Sequence, residues 1–201
     1  MARDHDRMRA HRLRERTRFV DQAAVATFGG GRRTPAAPDP LFAEAFAIAR
    51  NGGLLAVPHA GELTGAQSVR DALEVLGADR IMHGVAAVAD PGLLDRLAAG
   101  NVALDVCPTS NVMLSVVPSI TRHPLPALLA RGVPCSINAD DPLLFDTDLL
   151  TEYARVRDHL GLTAAQLADC ARTSLRHSGA PHGLIESALA GADAWLQHAT
   201  A

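Results

Sequence analysis

Lysine is absent from this 201-residue chain, and all 19 of its basic side chains are arginine. With alanine abundant, that bias fits GC-rich coding rather than selection for any chemistry. Cysteine is sparse as well. Cys107, Cys135 and Cys170 are odd in number and stand at no zinc-finger spacing, which argues against a disulfide scaffold and for a reducing cytoplasm. No apolar run approaches the ~18 residues of a membrane-crossing helix. The first residues hold no apolar h-region, so no secretory signal is expected. Gly29-Gly30-Gly31 lacks a following Gly-Lys-Ser/Thr and reads as linker, not as a phosphate loop. A net charge of −3 exerts no general pull on nucleic acid. The one basic concentration is residues 1–18, with seven arginines against Asp4, Asp6 and Glu15, and it reads as a solvated segment rather than a nucleic-acid arm.

What the chain does have is length and apolar content for one ordinary domain, with 48% of residues hydrophobic. Residues 1–40 read as an arginine-rich segment and linker, and residues 41–201 as the folded domain. "LFAEAFAIAR" has helical periodicity and is closed by Asn51-Gly52-Gly53. "LLAVP" is a short buried-type strand, followed by the helix "AQSVRDALEVLG" and a strand ending near His83. Asp90 and Pro91 open the helix "DPGLLDRLAAG", and "NVALDVCP" is the next strand. A long loop, the helix "PLPALLARG" and the strand "VPCSIN" follow. From residue 148 onward only helices are expected, over 148–160, 163–176 and 182–198, with Thr163 as an N-cap. Strand and helix in alternation, with strands apolar on both faces, predict a parallel α/β sheet.

Polar residues cluster at one place in that pattern. His59, His83, the run Cys107 to Asn111 and the run Asn138 to Pro142 each follow the carboxyl end of a strand. In parallel α/β folds that end carries the active site. Two neutral imidazoles and a carboxylate can bind a zinc-like ion, whose charge lowers the pKa of bound water to about 7. A second carboxylate kept protonated by burial can act as general acid. His59, Glu62, His83, Asp140 and Asp141 can fill all these roles, which suit hydrolytic attack on carbon or phosphorus.

The runs "HAGE" (59–62), "RIMHG" (80–84), "CPTSN" (107–111) and "INADDP" (137–142) resemble the consecutive motifs of the adenosine deaminase family, in order and at similar spacing. The resemblance covers about residues 41–198. It implies a (β/α)8 barrel of the metal-dependent hydrolases, of which this chain carries strands 5–8 with their helices. It further implies zinc-dependent hydrolytic deamination of adenosine, adenine or 6-amino-6-deoxyfutalosine, with loss of ammonia from C6 of the purine. Carried over by motif, His59 and Asp140 would hold zinc and Glu62 would protonate purine N1. His83 would orient or deprotonate the attacking water, and Asp141 would hydrogen-bond the purine at N7. Met82 departs from the family, which usually has glycine before His-Gly.

The larger departure is that no His-x-His occurs in the chain, whereas the family uses that motif for two further zinc ligands. A half-barrel with unpaired parallel edges should self-associate, bind a complementary half or be poorly stable. An alternative to the enzyme is therefore a catalytically incomplete deaminase fragment that acts only by association. Cys107 reads as a small buried hydrophobe, because no base is spaced to serve it as a nucleophile. Ser110 and Asn111 read as residues that fix a loop. His123, His159, His177, His182 and His198 read as background, and Trp195 as an anchor of the last helix.

Overall fold

The structure, a computed structural model, describes the strand Phe19–Val20 and residues 40–200. Almost all of the expected 1–40 segment therefore lies outside the described residues. Helix α1, Pro40–Asn51, buries Phe46 against Ala56 and Leu76. Gly53 closes this helix in the left-handed region at φ 80°, with Leu54 N donating to Ala49 O and Gly53 N to Arg50 O. That pair of bonds is a Schellman motif, which only a residue without Cβ adopts at no steric cost.

The expected strand "LLAVP" is divided. Strand β1, Phe19–Val20, pairs in parallel with β2, Leu55–Ala56, while β3, His59–Ala60, belongs to a separate sheet. Val57-Pro58 makes the break, since proline donates no hydrogen bond to a ladder. Ala56 is also bridged to Asp79 in both directions, by its own amide to Oδ2 at 2.8 Å and by Asp79 N to its carbonyl at 2.9 Å.

The main sheet runs β3, β4 (Arg80–His83), β5 (Ala103–Val106) and β6 (Cys135–Ile137), all parallel and in chain order. Between the strands lie helix α2 (Ala66–Glu74), a 3-10 turn and α3 (Pro91–Ala99), then α4 (Pro108–Met113), a second 3-10 turn and α5 (Leu125–Ala130). Helices α6 to α9 follow at Pro142–Phe145, Leu149–Leu160, Ala164–Arg176 and His182–Ala199. This is the sequential, parallel arrangement of consecutive strands in a (β/α) barrel. Every residue of β5 and β6 is buried, and Leu104, Val106 and Ile137 join Leu93, Leu97 and Leu128 of the flanking helices in one core.

Local chemistry explains the helix starts. Asp90 caps α3 by accepting from Leu93 N at 3.1 Å, with Pro91 at the first turn. Thr163 and Gln166 form a reciprocal capping box at α8. The run "CPTSN", expected in a loop, instead opens helix α4, because Pro108 suits a first helical position and Thr109 N finds an acceptor in Glu152. Trp195 is 48% exposed and lines one cavity with Leu167 and Tyr153.

Two buried polar networks tie the layers. Asp105 of β5 pairs with Arg80 of β4, with Nε at 3.0 Å from Oδ2, and accepts from Ser136 Oγ of β6 at 2.5 Å. Arg80 also reaches His177 O beyond α8, at 3.0 Å. Glu152 of α7, fully buried, accepts from Thr109 N at 3.0 Å and Thr147 Oγ1 at 2.6 Å, and also from Thr109 Oγ1. This second network holds α4, and with it the "CPTSN" run, against α7.

Candidate active site

His59 opens β3 opposite Met82, and Ala60 stands opposite His83. Gly61 then turns at φ 65°, and a Cβ there would stand 2.4 Å from Val69 Cγ2. Its amide donates to Ser68 Oγ at 2.8 Å, and its carbonyl accepts from Ala86 N at 2.9 Å. The "AG" of "HAGE" is thus clamped between α2 and the turn after β4. The clamp sets Glu62 Oε1 3.5 Å from His83 Nε2, with the Glu62 side chain 9% exposed.

His83 ends β4 with φ 63°, and Asp140 follows β6 with φ 58°. Side chains other than glycine rarely adopt this region unless surroundings hold them there. His83 Nε2 lies 3.8 Å from Asp140 Oδ2, and Ser110 Oγ donates to the same oxygen at 2.6 Å. The rings of His59 and His83 stand 5.4 Å apart at 44°. Three strand ends therefore bring His59, Glu62, His83 and Asp140 together. Asp141 is adjacent but turned to structural work: its Oδ1 accepts from Leu143 N and Leu144 N, each at 3.1 Å, and caps α6.

Burial raises the Glu62 carboxyl above its ordinary value, the nearby Asp140 adds to this, and His59 opposes it. A carboxyl shifted that way keeps its proton to higher pH, as a general acid requires. Cys107 lies at 1% exposure with its Sγ near His83 and Asp140. Burial raises its thiol well above the ordinary range, and Sγ donates to Asp105 O at 3.6 Å, so it is neither nucleophile nor ready thiolate ligand. Among the described residues, ligand-type atoms of His83, Cys107 and Asp140 lie within 4.8 Å of one another. Imidazole nitrogen and carboxylate oxygen on a constrained strand-end cluster are a donor set that zinc accepts.

Sequence reasoning passed over a layer behind these groups. Asn111, expected only to shape a loop, reaches His83 Nδ1 with Nδ2 at 3.3 Å and His123 Nε2 with Oδ1 at 3.2 Å. His123, read as background, is 4% exposed and belongs to this layer. The signal available was weak: a polar pair inside a strand-end motif, and a histidine directly before Pro124 at a helix start. Glu152, Thr109 and Thr147 gave no signal, because a helix-face glutamate normally reads as solvated.

Imidazoles and carboxylates at the carboxyl ends of successive parallel strands stand where proteins of the (β/α)-barrel class carry their active sites. The family profile described as adenosine deaminase matches residues 1–188. A Streptomyces coelicolor protein, provisionally named adenosine/adenine deaminase, is 54% identical over 155 residues, covering 77% of this chain and 45% of its own length. The crystal structure of adenine deaminase from Arthrobacter aurescens superposes with a TM-score of 0.76 at 33% identity, over 80% of this chain and 49% of that one. An amidohydrolase structure from Burkhoderia ambifaria, with bound zinc, superposes with a TM-score of 0.74 at 25% identity, over 81% and 46%. The chain belongs to the adenosine deaminase family. It spans about half the length of the curated relatives it matches. No helix among the described residues is long and apolar enough to cross a membrane.

Proposed function

We propose that this chain carries the strand 5–8 side of a zinc-dependent deaminase that releases ammonia from an adenine-type base or nucleoside. The observation that carries this is the convergence of Glu62, His83 and Asp140 from three strand ends, with Glu62 biased by burial toward its protonated form. Glu62 donates its proton to purine N1, and His83 holds the attacking water. Asp141, whose Oδ1 caps α6, would hydrogen-bond the purine at N7 through its other carboxylate oxygen. His59 and Asp140 hold the metal, which when bound would lower the pKa of a water to about 7. Catalytic zinc takes three protein ligands, so these two do not by themselves close the site. Adenosine, adenine and 6-amino-6-deoxyfutalosine share the 6-aminopurine that Glu62 and Asp141 would grip. Three free, buried cysteines fit a reducing cytoplasm.

Zinc content and ammonia release test this together. About one zinc per chain, lost in His59→Ala, with ammonia released from one of the three substrates, is expected. No zinc above the His59→Ala level and no ammonia from any substrate would sink it.

A second reading is association through an exposed apolar face. Leu143 is 97% exposed and Leu150 81%, with Leu144 and Leu149 beside them on α6 and α7. Large exposed apolar side chains gathered in one short stretch, rather than scattered singly, suggest a contact surface. Sedimentation should show a complex that Leu143→Glu with Leu150→Glu dissociates, and a concentration-independent monomer would remove this reading.

A further inference from the structure

The hydrogen bonds behind His83 have a direction, and it can be read from one end. His123 Nδ1 lies 3.1 Å from the amide nitrogen of Leu125, the first residue of α5. A backbone N–H donates and never accepts, so Nδ1 of His123 carries a lone pair. A neutral imidazole with one bare nitrogen holds its hydrogen on the other. Nε2 of His123 therefore donates, and its partner 3.2 Å away is the oxygen of Asn111. The opposite placing of that amide would set an NH2 against an N–H, donor against donor. With its oxygen committed to His123, Asn111 turns its NH2 to Nδ1 of His83, 3.3 Å away. Nδ1 of His83 must then accept.

We infer that Asn111 and His123 are positioning residues that fix the hydrogen of His83 on Nε2, so that His83 presents an N–H donor to the reacting centre. That nitrogen is the one 3.5 Å from Glu62 Oε1 and 3.8 Å from Asp140 Oδ2. The three residues behind it are closed from water: His83 is 1% exposed, Asn111 0% and His123 4%. A buried chain of this kind has no solvent to relax into, so reversing one bond requires reversing all of them. Burial also pushes the His123 imidazole down to about 4, which keeps it in the neutral form the chain requires. Hydrogen-bond direction alone sets the arrangement, and no change of charge on His83 is involved.

This rests on the reading of His83 as a site residue. In that reading, His83 orients the attacking oxygen by donating to it at Nε2 and does not take its proton there. The base function left open by the sequence motif is thereby narrowed to an orienting one, and the narrowing originates at a backbone amide of α5.

Imidazole nitrogen shifts of the full chain labelled with 15N-histidine read the tautomer directly, with the His83 signals assigned by their loss in His83→Gln. The expected result is a bare Nδ1 and a protonated Nε2 on His83. His123→Gln should preserve this, since a glutamine can accept from Leu125 N and donate to Asn111. Asn111→Asp should reverse it, because a carboxylate in place of the NH2 accepts from His83 Nδ1. His123→Leu frees the amide of Asn111 and should give mixed tautomers. A hydrogen on Nδ1 in the parent chain, or an unchanged tautomer in Asn111→Asp with a normal melting curve, would overturn the inference. These shifts need no turnover, so a chain that releases no ammonia yet shows the pattern sinks the deaminase reading and leaves this one standing.

Discussion

His83 and Asp140 face each other with Nε2 and Oδ2 3.8 Å apart, and each is held at positive φ. Two such conformations at one site are maintained by the packing around them, since each costs about 1–3 kcal/mol on its own. Gly84, directly after His83, takes φ 69° at no such cost because it has no Cβ.

Replacing Gly84 tests how tightly that packing is drawn. Its Cβ would stand 2.5 Å from Leu104 Cδ2 in the core. Gly84→Ala should lower stability by roughly 1–3 kcal/mol, from unfavourable φ and overpacking together. An unchanged melting temperature would show that the turn after β4 relaxes freely.

The Arg80–Asp105 pair is buried on both sides. Asp105→Ala leaves the guanidinium without its carboxylate and should destabilise by about 3–5 kcal/mol in urea unfolding. Arg80→Met combined with Asp105→Leu should recover most of that loss. If the single change costs no more than the double one, the pair is not what holds β4 to β5.

Acid sensitivity follows from His123. Its folded value of about 4 lies below the ordinary 6.5, so the unfolded chain binds this proton first as pH falls. Stability from this group is fully present above pH 6.5 and is lost progressively down to about pH 4, by roughly 3 kcal/mol in all. His123→Gln should show a shallower fall in melting temperature across that window than the parent chain. Parallel curves would contradict the assignment.

Glu62→Gln keeps the shape and removes the dissociable proton. Ammonia release should drop by about 10²–10⁴-fold, the usual contribution of a positioned general acid. Zinc content should stay as in the parent if, as proposed, His59 and Asp140 hold the metal and Glu62 does not. Equal loss of zinc and activity would instead place Glu62 among the ligands.

Much of this architecture was legible from local signals. The caps at Asp90 and Thr163 formed as their chemistry requires, and β4, β5, β6 and the three long C-terminal helices fall where periodicity and glycine punctuation put them. The strand-end motifs were legible too, since short runs of unusual composition after apolar strands survive without knowledge of any contact. The break at Val57-Pro58 was harder. An apolar run ending in proline reads as one strand until its two halves find different partners.

The sequence by itself determined which chemical groups this protein brings to its strand ends, because alternating strands and helices of this length fold in only a few parallel ways. Tertiary structure alone decided how those groups are held. Glu62 becomes a shielded acid only once α2 and the turn after β4 clamp Gly61. His123 joins the site only because Asn111, twelve residues before it, is buried between it and His83. Hydrogen-bond direction and desolvation depend on distances between residues far apart in the chain, and no local pattern encodes those distances.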